Sequence, residues 1–206
     1  MRIAVLTFDG FNELDSFIAS AMLNRVKLPA LKALIVCPAP QVASMNGVVV
    51  QTQAPLAFAR EADAVIVGSG VKTREVVRDA ALMRELRLDP KRQLIGAQCS
   101  GALVLAKLGL LDGVPACTDT TTKPWVQEAG VEVLNQPFVA HGNVATAGGC
   151  LASHYLATWT IARLAGWKAA EAVVHYVAPV GQKDEYVART RAVLTPYLEP
   201  TPSFAA

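Results

Sequence analysis

The chain is sparing with the residues that most often declare a function. It has four cysteines in 206 residues, Cys37, Cys99, Cys117 and Cys150, and no two stand at C-x-x-C spacing. Neither a zinc knuckle nor a thioredoxin-type dithiol is therefore written into it. The four sit in apolar, strand-like or helix-start contexts, which reads as reduced thiols in a reducing compartment. Charge is scarce at 17% of residues, and the net charge is only +2. The basic residues are dispersed, as in Arg74, Arg78, Arg84, Arg87, Lys91 and Arg92. With no basic block and no interleaved aromatics, nucleic acid is excluded as a partner. No apolar run approaches the roughly 20 residues of a membrane span. The apolar stretch at residues 3–6 is too short for a signal-peptide core, so the expected location is the cytoplasm, away from the membrane. Repeats, low-complexity tracts and linkers are missing as well, which predicts one domain over residues 1–200, with 201–206 fraying.

What remains is an apolar chain, 52% hydrophobic, too apolar to be disordered. Short apolar runs alternate with amphipathic segments. Strands are predicted at 3–6, 31–36, 64–67, the run leading to Gln98, 114–118, 131–133, 138–140 and 144–146. Residues 42–50, turned at Asn46-Gly47, read as a hairpin. Asn12 opens a helix whose apolar positions Leu14, Phe17, Ile18, Ala21 and Met22 follow helical spacing. Further helices are predicted over 76–86, over 102–108 up to Gly109, from about Pro124, and from Leu151 to Gly166, followed by one or two more. Such alternation predicts an α/β three-layer sandwich around a mainly parallel sheet. Sites in these sheets lie beyond the carboxyl ends of the strands.

Cys99 lies at one of those ends. In Gly96-Ala97-Gln98-Cys99-Ser100-Gly101-Ala102 an apolar run stops at a cysteine, with small residues two before and two after it, and a helical run follows. This is the pattern of a nucleophile elbow with cysteine in the place of serine. The start of the following helix is expected to favour the thiolate. A buried structural cysteine is the plainer reading; the small neighbours favour a reactive one. Asp15 has two readings that do not exclude each other. Three residues after Asn12, it is a capping-box acid; at the sheet edge, it is a carboxyl able to exchange protons with Cys99. Gly70 and Ser100 could present backbone N–H groups to a developing anion. Ser69 beside them, and Asp119 in a Thr-rich loop, are candidates to line the pocket, although Asp119 also reads as an ordinary loop residue. Glu13 reads as solvated.

These segments together resemble the ThiJ/PfpI superfamily, relatives of the class I glutamine amidotransferases with a flavodoxin-like fold. The resemblance is carried by Phe8-Asp9-Gly10-Phe11-Asn12-Glu13-Leu14-Asp15, by Val65-Ile66-Val67-Gly68-Ser69-Gly70, by the Gln98 to Leu105 elbow, by Gly109-Leu110-Leu111-Asp112-Gly113 and by Thr146-Ala147-Gly148-Gly149. With aspartate at position 15 the pattern is most similar to the isonitrile hydratase branch. Ser69 stands where that family has glycine. Asp119 stands where many relatives place a histidine, and His141, His154 and His175 all fall elsewhere, which argues against a Cys–His protease. The resemblance implies a homodimer that needs no cofactor or metal and acts on a small molecule. Cys99 would be its nucleophile and Asp15 its proton shuttle. Glyoxalase-type attack on a reactive carbonyl, or redox or ligand sensing through Cys99, are the alternatives.

Overall fold

The computed structural model describes residues 1–198; the expectation for 201–206 lies outside them. The strands are β1 (Arg2–Leu6), β2 (Lys32–Cys37), β3 (Gln41–Ala43), β4 (Val49–Gln51), β5 (Ala54–Pro55), β6 (Ala64–Val67), β7 (Leu94–Gln98), β8 (Phe138–His141) and β9 (Val144–Ala147). The helices are α1 (Glu13–Leu23), α2 (Phe58–Glu61), α3 (Thr73–Val76), α4 (Ala80–Glu85), α5 (Gly101–Lys107), α6 (Lys123–Glu128), α7 (Ser153–Ala165), α8 (Trp167–Val177) and α9 (Lys183–Leu194). Seven strands form one sheet in the order β5-β2-β1-β6-β7-β9-β8. Every pair in it is parallel except β8 with β9. The expected hairpin is the separate β3–β4 pair, with Val42 opposite Val50.

Burial on both faces explains why the central strands are short, unbroken apolar runs. Side chains alternate across the sheet. Ile3 and Val5 pack under α1, α7 and α8, with Met22, Leu156 and Trp159. Ala4 and Leu6 face the opposite layer, with Ala59, Val76 and Leu105. Winding starts at β1, moves outward to β2, then returns to β6 on the other side of β1. The β1/β6 junction is therefore the switch point where such folds open a crevice.

Three expectations change. The helix predicted over 76–86 is two short helices, because Asp79 caps a new start, accepting from the Ala81 and Leu82 N–H groups. Residues 114–118 and 131–133 are not strands; they meet only at an isolated bridge, Ala116 to Val133. In α1 the apolar spacing indicates the wrong face. The buried residues are Asp15, Ser16, Ala19, Met22 and Leu23, while Leu14 is 49% exposed. A polar pair faces inward because its hydrogen bonds are satisfied there.

Candidate functional site

Residue 99 is the one non-glycine residue with positive φ among those described, at 46°. Left-handed backbone at a residue with a Cβ costs about 1–2 kcal/mol. The surroundings fix it in that geometry. The Cys99 N–H donates to the Ala147 carbonyl at 2.8 Å, and Thr118 Oγ1 donates to the Cys99 carbonyl at 2.8 Å. Glycine is needed two residues on, since a Cβ at Gly101 would lie 2.6 Å from the Val67 carbonyl oxygen. The spacing seen in the sequence is thus a steric requirement of β7 turning into α5 against β6.

Asp15 reaches the same point from α1. Asn12 caps that helix, its side-chain oxygen accepting from the Leu14 N–H, and the Asn12 N–H donates to the Ser69 carbonyl at 2.9 Å. The chain after β1 is thereby tied to the chain after β6, and Asp15 is turned inward, fully buried. Its carboxylate accepts from the hydroxyls of Ser69 and Ser153, and the Cys99 and Cys150 sulfurs lie beside it. Asp15, Cys99 and Cys150 offer atoms that all lie within 4.8 Å of one another. They are the one such group of three potential metal ligands among the described residues. Two sulfurs and one oxygen would suit a soft or borderline ion rather than magnesium or calcium.

The electrostatics of the pair correct one expectation. Burial, and then the neighbouring Asp15 and Cys150 charges, push the Cys99 thiol up, away from easy ionisation. The start of a seven-residue helix does not outweigh them. Burial likewise pushes the Asp15 carboxyl above its ordinary range, against the neighbouring hydroxyls and thiols that favour its ionised form. Each group resists a second negative charge beside it. The arrangement sets a carboxyl that can take or give a proton next to the Cys99 sulfur.

The remaining candidates divide. Ser69 is on Asp15 itself. Ser100 and Gly70 face each other, but the Gly70 N–H is donated to Ser100 Oγ at 3.1 Å, and Thr73 Oγ1 lies 2.7 Å from the same oxygen. An anion would have to displace that bond to use the Gly70 N–H. Asp119 spends Oδ1 on the N–H groups of Thr121 and Thr122, each at 2.9 Å, as loop residues do; its charge still raises the Cys99 thiol slightly. Glu13 is not merely solvated. It accepts from Ser44 and Asn46 and clamps the β3–β4 turn to α1.

Sequence reasoning gave too little weight to Cys150, Ser153, Asn12 and Gln98. Asn12 Nδ2 donates to Cys150 Sγ at 3.2 Å. Gln98 Nε2 donates to the Gly149 carbonyl at 2.9 Å and to Cys99 Sγ at 3.5 Å. The available signal was Cys150 and Ser153 at i, i+3 just after the Gly148-Gly149 turn, one helical face aimed at the sheet edge. Cys99 is 3% exposed. An apolar cavity of about 720 Å³, walled by Ile18, Met22, Leu151, Tyr155 and Val174, reaches Cys150 but is not lined by Cys99 or Asp15. His154 borders this cavity, with Nδ1 held 2.6 Å from the Leu151 carbonyl.

The fold and the elbow together define an α/β protein with a cysteine at the carboxyl edge of a parallel sheet and a buried aspartate beside it. The chain belongs to the DJ-1/PfpI family, whose model matches residues 1–163. Solved structures of similar fold include Schizosaccharomyces pombe DJ-1, at 18% identity over 87% of this chain and 100% of that one, with a TM-score of 0.75. Oxidised Toxoplasma gondii DJ-1 is 17% identical over 85% and 97% of the two chains, with a TM-score of 0.74. A ThiJ/PfpI family protein from Pseudomonas syringae is 20% identical over 100% of this chain and 78% of its own, with a TM-score of 0.67. No protein of curated function matches the chain in sequence. The Cys–Asp cluster suits cysteine-based chemistry, either turnover or sensing. No helix among the described residues is long and apolar enough to cross a membrane.

Proposed function

We propose that the protein is a cysteine-dependent enzyme for small electrophiles, and that its reaction is hydration of an isonitrile to an N-substituted formamide. The observation that carries this reading is the buried Asp15–Cys99 pair, a carboxyl and a thiol within 4.8 Å of each other at the elbow, each raised by burial. Sulfur attacks the terminal carbon of the isonitrile as the thiol proton passes to Asp15. Negative charge builds on that carbon, and the newly protonated Asp15 neutralises it, leaving a thioimidate on Cys99. Water then adds to the thioimidate carbon, giving one proton to nitrogen through Asp15. The C–S bond breaks, the formamide departs, and the second proton returns to the thiol.

The balance is one isonitrile and one water in, one formamide out. One carboxyl acts in turn as base and acid, a role for which a raised pKa is suited. The first step builds charge on carbon rather than oxygen, so it does not call on the Gly70 N–H that Ser100 occupies. The test mixes purified protein with an aryl isonitrile and follows formamide by chromatography. The expected result is turnover that disappears in Cys99→Ser; wild-type turnover no faster than that variant's defeats the proposal.

A further inference from the structure

The hydration scheme uses one sulfur, yet the site holds two. Cys150 Sγ lies within 4.8 Å of Cys99 Sγ and of an Asp15 oxygen. Asn12 Nδ2 donates to it at 3.2 Å. A sulfur fixed by an amide donor, with a carboxyl oxygen near enough to take its proton, is positioned to act as a nucleophile. It is also the more exposed of the two, half-buried on the wall of the apolar cavity, while Cys99 is 3% exposed beside it. Gly149, immediately before it, has φ +87 with nothing within 4 Å of where a Cβ would be. Cys150 then begins a three-residue 3-10 turn rather than the body of α7.

We propose that Cys150 is a resolving thiol, which closes a disulfide with Cys99 once Cys99 has been oxidised by a hydroperoxide. In the first step the Cys99 sulfur attacks one peroxide oxygen while its proton passes to Asp15. The O–O bond breaks, sulfur is oxidised to the sulfenic acid, and the departing hydroxide takes that proton from Asp15 and leaves as water. In the second step the Cys150 sulfur attacks the sulfenic sulfur and gives its proton to Asp15. The S–O bond breaks, and hydroxide leaves as a second water with that proton. Two thiols and one hydrogen peroxide become one disulfide and two waters. The sulfurs must close from within 4.8 Å to about 2.05 Å, a movement that falls on the short 3-10 turn carrying Cys150. A sulfenic acid with a thiol this near condenses to a disulfide instead of climbing to the irreversible acids. This inference rests on the two sulfurs and their shared carboxylate, and it holds whether or not isonitriles are substrates.

The experiment treats the full chain, folded and reduced, with a slight excess of hydrogen peroxide. Free thiols are blocked with N-ethylmaleimide, and the protein is digested without reductant for mass spectrometry. A Cys99–Cys150 linked peptide, two hydrogens lighter than the sum of its parts and lost on treatment with dithiothreitol, is expected. In Cys150→Ser, checked for folding by circular dichroism, Cys99 should instead accumulate as sulfinic acid that dithiothreitol does not restore. Sulfinic Cys99 forming in the wild type as readily as in the variant, with no linked peptide, overturns the proposal; so does a disulfide from Cys99 to any other cysteine.

Discussion

Replacing Asp15 with asparagine separates the two functions assigned to its carboxylate. In the wild type the Asp15 charge opposes ionisation of Cys99 from no more than 4.8 Å away. At an effective dielectric of about 20, two unit charges at that separation repel by about 3.5 kcal/mol. Since about 1.4 kcal/mol corresponds to one pH unit of ionisation, removing the charge should lower the midpoint for thiolate formation by about two and a half pH units. Asparagine is nearly isosteric and can still accept from Ser69 and Ser153, so the elbow should keep its geometry. The assay is the rate of iodoacetamide alkylation against pH, read on the Cys99 peptide by mass spectrometry so that Cys150 does not contribute. Turnover of isonitrile should move the opposite way, falling by about a hundredfold or more, the typical contribution of a positioned acid–base group. An easier thiolate with a slower reaction is the signature of a lost base. A midpoint that rises in Asp15→Asn would refute the reasoning, because it would show a neutral carboxyl already donating to a resting thiolate.

Three further outcomes follow from the same structure. Asp15→Asn should melt at a higher temperature than the wild type at neutral pH. Burial raises the folded-state carboxyl, so ionising it costs the fold once pH exceeds the unfolded-chain value of about 3.9; the advantage should therefore vanish in melts near that pH, and a less stable variant at neutral pH contradicts this. Cys117, pushed up to about 12 by burial, and Cys37, also raised by burial, should resist alkylation in the native protein and react only on unfolding; rapid native labelling of either would show that the segment around it opens. Gly101→Ala should cost about 2 kcal/mol or more in urea unfolding, as overpacked positions do, because its Cβ meets the Val67 and Gly68 carbonyl oxygens at 2.6 and 2.9 Å; a loss within experimental error would mean that the elbow does not need its glycine.

The sequence by itself determined the elbow and most of the sheet, because both follow from interactions between near neighbours. A cysteine forced into left-handed backbone needs small residues at fixed offsets, and Ala97 and Gly101 stand at those offsets. Buried parallel strands must be short apolar runs, so residues 64–67 coincide with β6. Only the tertiary structure decided which groups surround the thiol. Asp15, Ser69, Cys150 and Ser153 belong to three segments far from residue 99 in the chain, and the switch point between β1 and β6 brings them together. Local periodicity also misjudged α1, since it counts apolar residues and cannot foresee that a buried aspartate will be met by the hydroxyls of Ser69 and Ser153. The proton state of Cys99 was beyond the sequence for the same reason: a nearby helix start can be read from adjacent residues, whereas the depth of burial and a carboxyl group arriving from α1 cannot.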